Sequence, residues 1–141
     1  MKDGEIIVLM IGLDIGAYVT KGVLIKDSSI IRSFSTLTDD AVVSASGILK
    51  DLLKSIQDEG SLDVIAVSGG GSRKIKERLC DLPIIKVDEI QAIGVGGLTL
   101  AGKLEGLIIN AGTGTAMVAA YNEGREVIHV GGTGVGGGTL L

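Results

Sequence analysis

The stretch GLDIGAYVTKGVLIKD, residues 12–27, decides how this chain is read. An apolar run precedes it, and residues 5–13 read as a buried central strand. At the strand's end stands a carboxylate, Asp14, followed by Gly16. Seven residues after Asp14, Lys21 opens a returning strand over 20–26. Residues 30–36 supply a third strand, and the short joins favour an antiparallel meander. Glycine at a strand end lets backbone approach a ligand closely, and successive N–H groups can surround an anion.

Three more glycine-rich stretches follow predicted strands: SGGGSRK (68–74), NAGTGTA (110–116) and GGTGVGGGTLL (131–141). Each alone is compatible with a plain tight turn. In combination they describe a phosphoryl-transfer site: an acid able to hold magnesium, a lysine, and facing anion-binding turns with hydroxyls. No stretch fits a P-loop, and no strand-flanked G-x-G-x-x-G is followed by an acid on the next strand.

Between these turns, apolar residues from Ala41 to Ile56 recur at helical spacing, with Asp39 or Asp40 as cap and Gly60 as stop. Residues 62–68 read as a strand, SRKIKERLC (72–80) as a short helix with a solvated basic face, 83–87 as a strand and 88–103 as a helix. The segments 106–121 and 125–130 form a hairpin around Asn122–Gly124. Residues 1–104 make one α/β lobe on this reading, and 105–141 open a second.

Composition agrees. Apolar residues make up 45% of the 141 residues and aromatics 2%. Such a core is aliphatic and suits strands covered by helices. A net charge of −4 argues against a nucleic-acid partner. Cys80 is the single cysteine, so the chain holds no internal disulfide or cysteine metal cage, and Cys80 reads as a small apolar filler. Asp3, Glu5 and Asp14 make the N-terminus unlike a signal peptide, and no apolar run reaches membrane length. The expectation is a cytoplasmic protein without a membrane partner.

The opening stretch resembles the first phosphate loop of the superfamily that contains actin, sugar kinases and heat-shock ATPases. VSGGGSRKI (67–75), KVDEIQAIGVGG (86–97), NAGTGTAMV (110–118) and HVGGTGVGGGTLL (129–141) then resemble, in order and spacing, type II pantothenate kinases. The resemblance covers nearly the whole chain. It implies a ribonuclease-H-like (actin-like ATPase) layer, a mixed sheet with helices on both faces, and the first hairpin of a second similar lobe. The chain would be the N-terminal half of a homo-oligomeric kinase that moves the γ-phosphoryl group of ATP, with Mg2+, to pantothenate.

By the same resemblance, Asp14 and Gly16 belong to the first phosphate loop and Lys21 is its basic residue, with Asp14 toward the metal. Glu89 is the catalytic acid. Gly112, Thr113, Gly114 and Thr115 form the second phosphate loop. His129, Gly131, Gly132, Thr133, Gly134 and Gly136 line the substrate. Two positions depart from the pattern. Tyr18 stands near where a small hydroxyl residue is common, with Thr20 as a possible replacement, and His129 stands where arginine is frequent. A non-catalytic nucleotide- or acyl-CoA-binding module is the alternative. An ATPase like the activators of 2-hydroxyacyl-CoA dehydratases is another, although those hold an iron–sulfur cluster through cysteines. An unfinished sheet edge in 106–130 would pair with another chain.

Overall fold

The computed structural model describes residues 6–56 and 59–139. The expected start of the first strand at Glu5, Gln57 and Asp58 of the stretch expected to be helical, and Leu140 and Leu141 of the tail lie outside the described residues. The chain divides into two compact units, Met1–Lys86 and Val87–Leu141. This division falls one helix earlier than the boundary after residue 104 read from the sequence, because that helix packs on the second sheet.

In the first unit, β1 (Leu9–Ile15), β2 (Val19–Lys26) and β3 (Ser29–Leu37) form the expected antiparallel meander. Period-two patterning sorts β1: Leu9, Ile11, Leu13 and Ile15 are buried, while Asp14 is exposed on the other face. Helix α1 (Ala41–Lys54) covers the buried face with Ala41, Ala45, Ile48, Leu49 and Leu52. Asp40 caps it, its Oδ1 accepting from the amides of Val42 and Val43 at 2.9 Å each. The helix stops at Ser55, whose N–H bonds the Leu52 carbonyl, short of the expected stop at Gly60. The helix lies so close to β2 that a Cβ on Gly22 would sit 2.3 Å from Ile48 Cγ2.

β4 (Val64–Ser68) then runs parallel to β1. The helix expected over 72–80 does not form. Gly70–Lys74 is a single 3-10 turn, and β5 (Arg78–Leu79) pairs with β6 (Leu82–Pro83) across Cys80 and Asp81, both at positive φ. Ile75 and Leu79 are both buried in the core. Their four-residue spacing imitates a helix, but nine residues after three glycines are too few to nucleate one against a competing hairpin. The basic side chains of this segment are exposed on a turn and a strand instead of a helix face. β7 (Ile85–Lys86) pairs parallel to β4 and completes the sheet order β3-β2-β1-β4-β7.

In the second unit, α2 (Glu89–Ala101) precedes β8 (Gly106–Ala111), β9 (Thr115–Tyr121) and β10 (Glu126–Thr133). Residues 106–121 thus split into two strands about the glycine turn, and the sheet is an antiparallel meander ordered β10-β9-β8. Helix α2 carries two glycines against this sheet. A Cβ on Gly94 would lie 2.6 Å from Val127 Cγ1, and one on Gly97 2.5 Å from Ile108 Cγ1. Gly102, left-handed at φ 61, ends the helix, with the amide of Lys103 closing onto Leu98. Among the described residues each of the two main sheets carries one helix, α1 on the first and α2 on the second.

Candidate functional site

The expected site residues fall in both units. In the first, Asp14 and Lys21 are ladder partners on β1 and β2, so their side chains share the face opposite α1. No ion pair joins them among the described residues, which leaves both charges available to a ligand. Gly16 makes the turn possible by lacking a side chain: a Cβ there would sit 2.7 Å from the Val19 carbonyl oxygen. Its amide is committed to that same carbonyl at 3.1 Å. Gly16 is therefore a spacer in the turn. The amides of Ala17 and Tyr18 make no hydrogen bond among the described residues and are the ones open to an anion.

Thr20 does not replace the missing loop hydroxyl. It is fully buried, on the α1 side, and its Oγ1 lies 2.8 Å from Thr38 Oγ1. Strand alternation puts it on the face away from Lys21.

The sequence reading counts SGGGSRK among the anion-binding turns but assigns none of its residues a role; the structure sets this turn beside Asp14. Ser68 ends β4 in register with Asp14. Gly69, at φ +86, carries the chain so close beneath β1 that a Cβ would meet Asp14 Oδ1 and the Ile15 carbonyl, both at 2.6 Å. Gly71 is equally confined: a Cβ there would lie 2.4 Å from Ile15 Cγ2. Two glycine turns thus enclose the end of β1 where the carboxylate stands.

In the second unit, Asp88 is the cap of α2, its Oδ1 accepting from the Gln91 amide at 3.0 Å. Glu89 is thereby spared a capping role; it is exposed and makes no hydrogen bond or ion pair among the described residues. Helix α2 touches the sheet at Gly124, Val127, Val118 and Ile108. The glycine loops occupy the other end of that sheet, and no hydrogen bond joins Glu89 to Thr113 among the described residues.

Those loops interlock. The amides of Gly137 and Gly138 donate to the carbonyls of Gly112 and Thr113 at 2.8 and 3.0 Å. Thr115 Oγ1 donates to the Val135 carbonyl at 2.7 Å, and Thr133 Oγ1 accepts from the Val135 amide at 3.2 Å. The bare backbone has a packing cause. A Cβ on Gly132 would lie 2.6 Å from the Thr115 carbonyl, one on Gly114 2.8 Å from that of Thr133, and one on Gly136 2.7 Å from that of Thr113. Gly134 alone among these stands in open space. The hydroxyl of Thr115 is occupied within the protein, whereas that of Thr113 has no partner among the described residues. A bulge separates His129 from Gly131 on β10, and His129 is exposed.

Among the described residues no three His, Cys, Asp or Glu side chains gather as a metal cluster, and no helix is long and apolar enough to cross a membrane.

No protein-family model matches the chain. It is 29% identical over 139 residues to a type II pantothenate kinase of Bacillus cereus, covering 93% of this chain and 46% of that one. The chain spans about half the length of the curated relatives it matches. Among solved structures, the activator of the 2-hydroxyisocaproyl-CoA dehydratase from Clostridium difficile, with bound ADPNP, superposes with a TM-score of 0.68 at 20% identity, over 90% of this chain and 48% of that one. A ROK family glucokinase from Streptomyces griseus, in complex with glucose and AMPPNP, gives 0.55 at 14% identity, over 89% and 47%. By sequence the chain is similar to type II pantothenate kinases, and its fold is similar to those of the dehydratase activator and the ROK family glucokinase.

Proposed function

We propose that this chain is the phosphate-gripping part of an ATP-dependent kinase whose acceptor is the primary hydroxyl of pantothenate, the first step of coenzyme A synthesis. One observation carries the reading. Asp14 and Lys21 stand side by side, unpaired among the described residues, at a strand end enclosed by turns in which Gly16, Gly69 and Gly71 have no room for a Cβ. That arrangement suits a ligand with dense negative charge. The names of the curated relatives direct it to pantothenate.

The residues present fit magnesium as well as nucleotide. Mg2+ keeps several waters and takes one or two protein carboxylates besides the substrate phosphates, and Asp14 offers one such carboxylate. When bound, the ion would neutralise charge on the phosphates. The chain's own groups do the rest. Lys21 offsets phosphate charge, and the amides of Ala17 and Tyr18 donate to phosphate oxygens. In the second unit, the hydroxyl of Thr113, without a partner among the described residues, and its glycine loop offer an anion-binding turn of their own. The acceptor oxygen forms its bond to the γ-phosphorus as the bond from that phosphorus to the β–γ bridging oxygen breaks, and ADP leaves. Glu89 orients the acceptor hydroxyl and takes its proton late in the transfer.

The test is ADP release by the full-length protein with and without pantothenate. Release that requires pantothenate, and that falls about 100-fold or more in Glu89→Gln while MgADP still binds, supports the reading. Equal release without any acceptor would fit a bare ATPase and remove pantothenate. Binding with no turnover would favour the regulatory module.

A further inference from the structure

Ser68 Oγ is buried and has no hydrogen-bond partner, the one side-chain polar atom so placed among the described residues. A buried hydroxyl without a partner forfeits its hydration for nothing, so native folds retain few of them and each calls for a cause.

The sheet register points to one. Ser68 is the ladder partner of Asp14, and Asp14 of Lys21. The three side chains therefore form a row across β4, β1 and β2, on the face opposite α1. Immediately after Ser68, Gly69 passes so near the Asp14 carboxylate that no side chain could separate them. Ser68 Oγ is closed to solvent, hence to direct touch by a ligand. The acceptor beside it on this row is the carboxylate of its ladder neighbour, which is itself exposed and unpaired among the described residues.

We propose that Ser68 is a positioning residue for Asp14: when nucleotide and its cation draw the carboxylate into its working rotamer, the Ser68 hydroxyl donates to it and holds it there. On this reading the Ser68 hydroxyl, unsatisfied among the described residues, is a donor kept for the Asp14 carboxylate. This inference rests on the reading of Asp14 under Proposed function.

The test measures MgADP affinity by calorimetry and thermal stability without ligand, on the full-length protein. Ser68→Ala should weaken MgADP about tenfold, since a hydrogen bond to a charged group is lost. Its unliganded melting temperature should stay the same or rise, because an unsatisfied buried hydroxyl has been removed. Ser68→Thr should restore affinity. In an Asp14→Asn background, Ser68→Ala should add nothing further, as a residue acting through Asp14 requires. A clear fall in unliganded melting temperature, or full additivity with Asp14→Asn, overturns the positioning role. If Asp14→Asn abolishes binding and Ser68→Ala leaves it intact, this inference fails while the reading of the site stands. If the unaltered protein binds no MgADP, the reading itself fails and takes this role with it.

Discussion

At Gly69 two constraints coincide. Its φ of +86 is one that side-chain-bearing residues rarely adopt, and its missing Cβ would collide with the Ile15 carbonyl as well as with Asp14. Gly70, its neighbour, has neither constraint: a Cβ there meets nothing within 4 Å. The two positions make a matched pair. Gly69→Ala should lower unfolding free energy by about 1–3 kcal/mol and also displace Asp14. Gly70→Ala should stay within about 0.5 kcal/mol of the parent. Urea unfolding of both variants reads the difference, and equal losses would mean that the glycine run serves loop flexibility instead. Nothing in the letters SGGGSRK separates the first glycine from the second. The nearness of Asp14, Gly16 and Lys21 was legible because a motif spaces them along one continuous segment. Ser68 was not, because its nearness to Asp14 depends on a parallel register between strands some fifty residues apart. Thr20 shows a different shortfall, since strand alternation by itself places it opposite Lys21, on the buried face.

At the scale of elements, α2 separates glycines that pack from one that does not. Gly94 and Gly97 let the helix settle onto Val127 and Ile108, and a methyl group at either would have to displace a β-branched side chain. Each Ala variant should cost about 1–3 kcal/mol. Gly96 meets nothing within 4 Å, so Gly96→Ala should be neutral or should stabilise by up to about 1 kcal/mol through helix propensity. Thermal melts of the three variants would order them, and a loss at Gly96 as large as at Gly97 would show that the outer helix face is packed in solution. The ends of elements carry their own electrostatics. Lys26, closing β2, bonds the Glu59 carboxylate beyond α1, and this bond holds the ammonium above its ordinary pKa of 10.5. A raised pKa means that the folded state binds the proton more tightly, so the contribution is fully present below pH 10.5 and is lost as pH rises through the shifted value. The difference in melting temperature between the parent and Lys26→Met should therefore be flat from about pH 7 to 9 and shrink only in stronger alkali. A difference that already falls below pH 9 would exclude this bond as its source. Long elements such as β1, β2, α1 and α2 were legible because their burial period runs for many residues. The 72–80 segment was not, because two buried residues four apart satisfy a helix and a hairpin equally well.

At the scale of the whole molecule, each unit has a sheet with a helix on one face, and the second leaves its other face apolar. Helix α2 takes Ile108, Val118 and Val127. The opposite face presents Leu107, Ile109 and Ile128, which are 59%, 64% and 54% exposed. Leu107 and Ile128 flank Ala119 in one cross-strand row. β8 and β10 are both edges of this sheet, so unpaired backbone borders the apolar face on either side. Apolar area of this kind, next to open edges, favours association over a dispersed monomer. The net charge of −4 is too small to keep copies far apart at physiological ionic strength. The chain should therefore sediment as a concentration-dependent mixture of monomer and larger species. Ile109→Lys combined with Ile128→Lys should shift it toward monomer without changing the α2 packing beneath, since both side chains point away from that helix. Far-UV circular dichroism would confirm that the fold is kept. A parent chain that remains monomeric at every concentration, or a double variant that associates as before, would show that this face is not what brings copies together.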